Sequence, residues 1–357
     1  MGLIILHSAD WHLDSPFASF SEEQRRFLRR HMLSIPDRIA DLCIREHCDL
    51  VLLAGDLFDG TASRESIDAL KRGLARCTVP VFIAPGNHDY ICSGSPWLEE
   101  VWPDNVHIFT GGLESFCMDS LDCRIWGSAF RSMDCPPLLK DFRADCRERY
   151  TLALFHGDPV NTASPYNPIT AAQVKASSVD YLALGHIHKA GSFRSGNTLC
   201  GWPGCPMGRG WDETGEKGVY LVDVDENAAR IREVSLSLPC FREVTVDISG
   251  GAEEALQAVL PPVRTEDLYT VVLTGTGNAD IPTLLQSFPH IPNLKLSDRT
   301  EAPLDIWGSE SRDTLEGTYF RMLKEQLAGA DPETARRITL AAEISRRLIE
   351  GREVILP

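Results

Sequence analysis

Two stretches decide the fold: Leu50–Asp59, LVLLAGDLFD, and Val81–Asp89, VFIAPGNHD. Each is a short apolar run that gives way to a glycine and then at once to carboxylate, amide or imidazole side chains. The same punctuation recurs where LIIL (Leu3–Leu6) leads to Asp10-Trp11-His12, where LALF (Leu152–Phe155) leads to His156-Gly157, and where YLAL (Tyr181–Leu184) leads to Gly185-His186-Ile187-His188. Short apolar runs alternating with helical patterns are the signature of a layered α/β domain.

Working outward, we expect strands over Leu3–His7, Leu50–Ala54, Val81–Ala84, Tyr150–Phe155, Tyr181–Leu184, Gly218–Val224 and Ile231–Leu236. A helix fits Glu22–Glu46, broken near Pro36 because proline cannot continue the ladder. Another fits Ser63–Cys77, with Ser63 as its N-cap. Near Pro239 the pattern changes to strand–helix–strand–helix–strand over Phe241–Ile248, Glu253–Leu260, Tyr269–Thr274, Ile281–Phe288 and Asn293–Leu296, a small α+β module. From about Asp313 to Gly351 two helices follow, turning at Gly329, Ala330 and Pro332. Leu315, Tyr319, Met322, Leu323 and Leu327 trace an apolar stripe on the first, and Ile338, Ala341, Ala342, Ile344, Ser345 and Leu348 one on the second. The division expected is 1–238, 239–300 and 301–357.

With 43% hydrophobic and 24% charged residues over 357 positions, the composition is that of a globular protein larger than one ordinary domain. No stretch approaches the roughly 20 apolar residues of a membrane span. The opening MGLIILHSAD lacks a basic lead-in and a cleavage site, so it suits a first core strand better than a signal peptide, and the expected location is the cytoplasm. Eleven cysteines, none in a CxxC pair, read as free thiols with several buried. The net charge of −16 works against independent DNA binding, which normally uses a basic face.

The chemistry-bearing residues all follow strands. If those strands share one sheet, their C-terminal ends bring distant residues to a single edge, where α/β folds bind ligands. Aspartate, asparagine and imidazole without thiolate suit paired Mn²⁺, Fe²⁺ or Zn²⁺ ions. Two ions ~3.5–4 Å apart need a shared ligand, and Asp56 is the best candidate for that bridge.

The order DxH, GD, GNHD, H, GHxH resembles the calcineurin-like metallophosphoesterase superfamily over about the first 235 residues. Within it HSADWHLDSPF, GDLFD, PGNHDY and WPGCPMGRGWDETGEKGVYLVDV are similar to the SbcD-like DNA repair exonuclease family, in its YhaO-like branch. That resemblance implies a layered β-sandwich flanked by helices, a small α+β capping domain and C-terminal helices that grip a coiled coil. It implies Asp10, His12, Asp56 and His188 around one metal and Asp56, Asn87, His156 and His186 around the other, with Mn²⁺ as the expected ion. His88 would face the substrate and donate a proton to the leaving 3′-oxygen, while Asp89 would orient His88 through a carboxylate–imidazole bond. The implied activity is a 3′–5′ exonuclease on double-stranded DNA, with room for endonuclease activity. Its implied setting is DNA repair, as the nuclease component beside an SbcC-like coiled-coil ATPase, and as a homodimer.

The chain departs from that pattern at Asp59, where many relatives have a second histidine. A carboxylate there repels phosphate unless it is protonated, paired or turned away, so cleavage would be slower or differently directed. Arg209 and Lys189 are the nearest positive charges for DNA phosphates, their other reading being ordinary surface charge. Trp11 could stack on a base or pack beneath the site and is assigned no role. The helical stripes could pack on the catalytic domain, whereas the resemblance favours docking a partner. Two further functions stay open: a phosphoesterase for a small molecule or phosphoprotein, and a non-catalytic component that binds DNA ends or a partner.

Overall fold

A computed structural model describes residues 2–145 and 147–354. Twelve strands make two six-stranded sheets: β1 (Leu3–Ser8), β2 (Leu50–Leu53), β3 (Val81–Ile83), β4 (Val106–Ile108), β5 (Glu114–Met118), β6 (Cys123–Gly127), β7 (Tyr150–His156), β8 (Tyr181–Gly185), β9 (Gly191–Ser195), β10 (Thr198–Trp202), β11 (Val219–Val224) and β12 (Ala229–Val234). The first sheet runs β12-β11-β1-β2-β3-β4 and the second β5-β6-β7-β8-β10-β9. Strands β1 to β4 are mutually parallel, as are β6, β7, β8 and β10, while the outer strands β5, β9, β11 and β12 pair antiparallel.

Side-chain alternation explains why the two sheets stack. In β2, Leu50 and Leu52 enter the core between the sheets with Ile5, Phe82, Leu152, Leu154, Tyr181 and Ala183. Val51 and Leu53 turn the other way, onto a core with Leu28, Ile39, Leu70 and Leu74. Those residues come from helices α1 (Glu22–Leu33), α2 (Ile35–Arg45) and α3 (Arg64–Arg76). The second sheet mirrors this: Ala153, Phe155, Leu182 and Leu184 face Phe142, Ile169 and Val174. A strand buried on both faces must be apolar at every position, which is why LVLL and YLAL carry no charged residue.

The layered α/β sandwich is as expected, but the motif strands do not share one sheet. The motif strands divide three and two between the sheets, and the strands that complete them, β4 to β6, β9 and β10, are short or half-polar and went unread. The helix break falls at Ser34, with Pro36 in the first turn of α2, where its missing N–H costs nothing. Ser63 caps α3 by accepting from the Ser66 N–H. All ten described cysteines are free thiols, eight of them buried; Cys146 lies outside the described residues.

The chain forms two compact units, one running to Glu243 together with Glu266–Tyr269, the other made of Val244–Thr265 and Thr270 onward. A three-stranded sheet, β13 (Phe241–Asp247), β14 (Leu268–Thr274) and β15 (Leu294–Asp298), alternates with α4 (Ala252–Val259) and α5 (Ile281–Ser287), as the pattern predicts. The final helices α6 (Leu315–Leu327) and α7 (Pro332–Ile349) fall in the same unit as this module. Of the two expected stripes only Ala342 is buried. Phe320 and Ala342 are buried, and the Arg346 guanidinium lies 4.4 Å from the Phe320 ring centroid while bonding Ser309 and Glu316. Leu315, Tyr319, Met322 and Leu348 are exposed. Among the described residues no helix is long and apolar enough to cross a membrane.

Candidate metal centre

The loops after β1 and β2 are zipped together by backbone bonds, from Asp10 N to Gly55 O (3.0 Å), His12 N to Asp56 O (2.9 Å) and Leu13 N to Leu57 O (2.9 Å). Asp10, His12, Asp56 and His186 all hold left-handed backbone, with φ of 54°, 48°, 51° and 93°. Such strain persists only where surrounding structure fixes it, and it clusters at functional sites. Gly86 is required by proximity: a Cβ there would fall on the Asp56 carboxylate.

Seven expected ligands converge. Ligand atoms of Asp10, His12 and His188 lie within 4.8 Å of one another, as do those of Asp10, Asp56 and His156, and of His12, Asp56 and His88. The Asn87 amide oxygen sits 2.9 Å from His156 Nε2 and 3.1 Å from His186 Nδ1. His156 Nδ1 donates to the Ala54 carbonyl at 2.8 Å, so its Nε2 faces Asp56 Oδ2, 3.4 Å away. His12 Nε2 and His188 Nε2 point at each other across 3.2 Å.

Two carboxylates, Asp10 and Asp56, are almost wholly buried in that cluster. Burial raises the Asp10 pKa. Burial also opposes ionisation of Asp56, but His156 and His12 outweigh it and hold that carboxyl low. In turn His156 is pushed up to about 9: burial disfavours its charge, yet Asp56 and then Asp10 prevail. A buried, electron-rich cluster of oxygen and imidazole donors fits divalent cations.

Asp89 does not touch His88 and is corrected accordingly. Its Oδ1 accepts the N–H groups of Asp56 (3.2 Å) and Gly86 (2.7 Å), and its Oδ2 those of Leu57 (2.8 Å) and Phe58 (3.3 Å). Burial and the Asp56 charge push its pKa up to about 7. The residue beside His88 is Asp59, 3.0 Å from Nδ1, and the bond raises the His88 pKa. Asp59 is thus paired, also reaching Ser15 Oγ at 3.0 Å and Arg209 at 4.0 Å, which removes most of the repulsion its charge threatened.

Arg209 is not free for substrate: it lies between Asp59 and Glu213, bonding the latter at 3.2 Å. Lys189 is exposed and lines a cavity of about 900 Å³ shared with His186, His188 and Lys217. Trp11 packs in the helix-side core, its indole donating to Ser8 Oγ at 2.8 Å. Sequence reasoning missed Glu213, 2.6 Å from His188 Nδ1. It also missed Asn167, whose amide donates to the His156 carbonyl at 2.8 Å. Glu213 lies inside the quoted WPGCPMGRGWDETGEKGVYLVDV stretch, but nothing there singles it out, and nothing local marks Asn167.

Residues 3–190 match the family model described as calcineurin-like phosphoesterase. The chain belongs to the calcineurin-like phosphoesterase family. Membership implies metal-dependent phosphoester hydrolysis, and the donor cluster described above offers candidate ligand groups for divalent cations. An uncharacterized metallophosphoesterase of Bacillus subtilis, YhaO, is 33% identical over 241 residues, 62% of this chain and 57% of that protein, so the phosphoesterase spans little over half of that relative's length. The SbcD component of the SbcCD nuclease of Staphylococcus epidermidis is 23% identical over 370 residues, 91% of this chain and 94% of its own. Its Bacillus subtilis counterpart, the SbcD component of the SbcCD nuclease there, is 23% identical over 278 residues, covering 65% of this chain and 69% of its own.

Proposed function

We propose that this phosphoesterase is a two-metal DNA nuclease, a 3′–5′ exonuclease on duplex ends with endonuclease capacity, working in DNA repair beside an SbcC-like coiled-coil ATPase. The observation that carries the proposal is the convergence of Asp10, His12, Asp56, Asn87, His156, His186 and His188 on one cluster, in a chain that matches an SbcCD nuclease component along nearly its whole length. In this proposal Asp10, His12, Asp56 and His188 hold one ion and Asp56, Asn87, His156 and His186 the other, Mn²⁺ being the expected metal.

Bound cations lower the pKa of water and neutralise charge on the non-bridging phosphoryl oxygens. The chain supplies the rest. Asp59 holds His88 by Nδ1, leaving Nε2 free to donate to the departing 3′-oxygen. Asp89 braces the backbone of Asp56 and so fixes the shared carboxylate. Lys189, exposed at the cavity rim, takes a neighbouring phosphate of the strand. The exposed Leu315, Tyr319 and Met322 offer a face for a partner's coiled coil, and the net charge of −16 accounts for needing that partner, or a homodimer mate, to grip DNA.

Incubating the purified chain with Mn²⁺ and either linear duplex DNA or bis-p-nitrophenyl phosphate tests this. Degradation of DNA, abolished by His156→Ala, is expected. Hydrolysis of the small ester with none of DNA, even with the ATPase present, would refute the nuclease assignment in favour of a small-molecule or phosphoprotein phosphoesterase. Failure to bind Mn²⁺ at all would leave a non-catalytic component.

A further inference from the structure

We propose that Glu213, tied in place by Arg209, is a positioning residue that selects the His188 tautomer able to hold a cation through Nε2; this rests on the two-cation reading of the same site. His188 Nδ1 is 2.6 Å from Glu213 Oε1 and 3.0 Å from Arg209 Nη2. One ring nitrogen cannot donate and accept at once. An oxygen of a carboxylate at 2.6 Å calls for the Nδ1 proton, and Arg209 Nη2 has its own acceptor in the same Oε1 at 3.2 Å. With the proton fixed on Nδ1, the Nε2 lone pair faces inward, where it meets His12 Nε2 at 3.2 Å beside Asp10.

The segment that carries Glu213 is built around His188. Gly204 has φ of 74°, and a Cβ there would collide with the His188 carbonyl, so only glycine allows the approach. Cys205 N then donates to that carbonyl at 3.3 Å. Five residues on, the chain turns back with a Glu213 N to Gly210 O bond of 3.1 Å. Glu213 Oε2 accepts the Arg209 N–H at 2.8 Å, and the residue is only 8% exposed. Carboxylate, guanidinium and segment backbone are thus one clamp on the ring. Outer partners of this kind typically govern metal affinity by 10–100-fold.

The experiment uses the full chain, with Mn²⁺ titrated calorimetrically and the ring ¹⁵N shifts of His188 read in metal-free protein. Wild type should bind two ions and show His188 protonated on Nδ1. Glu213→Ala should weaken one of the two ions by about 10–100-fold and mix the tautomers. Glu213→Gln, which keeps an acceptor oxygen, should recover most of both, and Glu213→Leu, which has none, serves in place of the alanine variant if that does not fold. Unchanged Mn²⁺ affinity and tautomer in the alanine or leucine variant, with only thermal stability altered, would overturn the proposal while leaving the two-metal reading standing. Absence of Mn²⁺ binding by the wild type would overturn both.

Discussion

Replacing Asp89 by asparagine exchanges one of its carboxylate oxygens for an NH₂ group, and each oxygen now serves two backbone N–H groups. Whichever oxygen is lost, two buried N–H groups are left facing a donor. At about 1–3 kcal/mol for each unsatisfied group, the gross cost is roughly 2–6 kcal/mol. Removing a buried negative charge next to Asp56 offsets part of that, on the order of 1 kcal/mol, so a net loss of about 1–5 kcal/mol is expected. Trp97 reports on the change, because its indole donates to the Asp89 carbonyl at 2.7 Å. Urea unfolding of metal-free protein followed by tryptophan fluorescence gives the stability, and Mn²⁺ titration gives the consequence for Asp56. A variant within about 0.5 kcal/mol of wild type, the usual range for uninvolved surface sites, and with unchanged Mn²⁺ affinity would refute the bracing role.

His88→Ala should leave Mn²⁺ affinity nearly intact and cut turnover by about 10²–10⁴, and loss of Mn²⁺ binding would make His88 a ligand instead. His7, wholly buried with Nδ1 2.8 Å from the Tyr181 hydroxyl, has its pKa lowered to about 3 by burial. Below the unfolded value near 6.5 the unfolded chain takes a proton that the folded chain refuses, so stability falls by up to about 1.4 kcal/mol per pH unit, or about 2 kcal/mol between pH 6.5 and 5. His7→Gln should remove that part of the slope in urea midpoints measured from pH 7 to 5, and an unchanged slope would contradict it. Arg346→Ala deletes the ion pair to Glu316 and the stacking on Phe320, and should destabilise the second unit by about 2–3 kcal/mol in limited proteolysis or hydrogen exchange, with Mn²⁺ binding untouched.

The sequence made the ligands legible because buried parallel strands must be apolar throughout, which sets each polar residue after them in relief. It could not say that β1 to β3 and β7 to β8 belong to different sheets, since a strand's own residues do not name its neighbour. Short strands such as Val106–Ile108, half-buried at the end of the first sheet, lack the length that makes a pattern. Side-chain direction was equally hidden: adjacency in GNHD suggested that Asp89 serves His88, whereas the turn aims Asp89 at backbone and brings Asp59 to the imidazole. Glu213 was beyond reach because its meaning depends on a segment that returns to His188 from another part of the chain. In the last helices, periodicity found the apolar residues but not which are buried: Phe320, outside the stripe, lies under the Arg346 guanidinium.

The inverted torsions at Asp10, His12, Asp56 and His186 bear on how this cage can change. Aspartate and histidine are among the few side chains enriched at positive φ, so the residues that coordination chemistry selects are also those the main chain tolerates at these corners. A β-branched replacement would fail on conformational grounds before its lack of donor atoms mattered. Glutamate would bring a carboxylate but not the short side chain suited to that bend. The cluster is thereby locked against gradual drift by two independent filters acting on the same four positions.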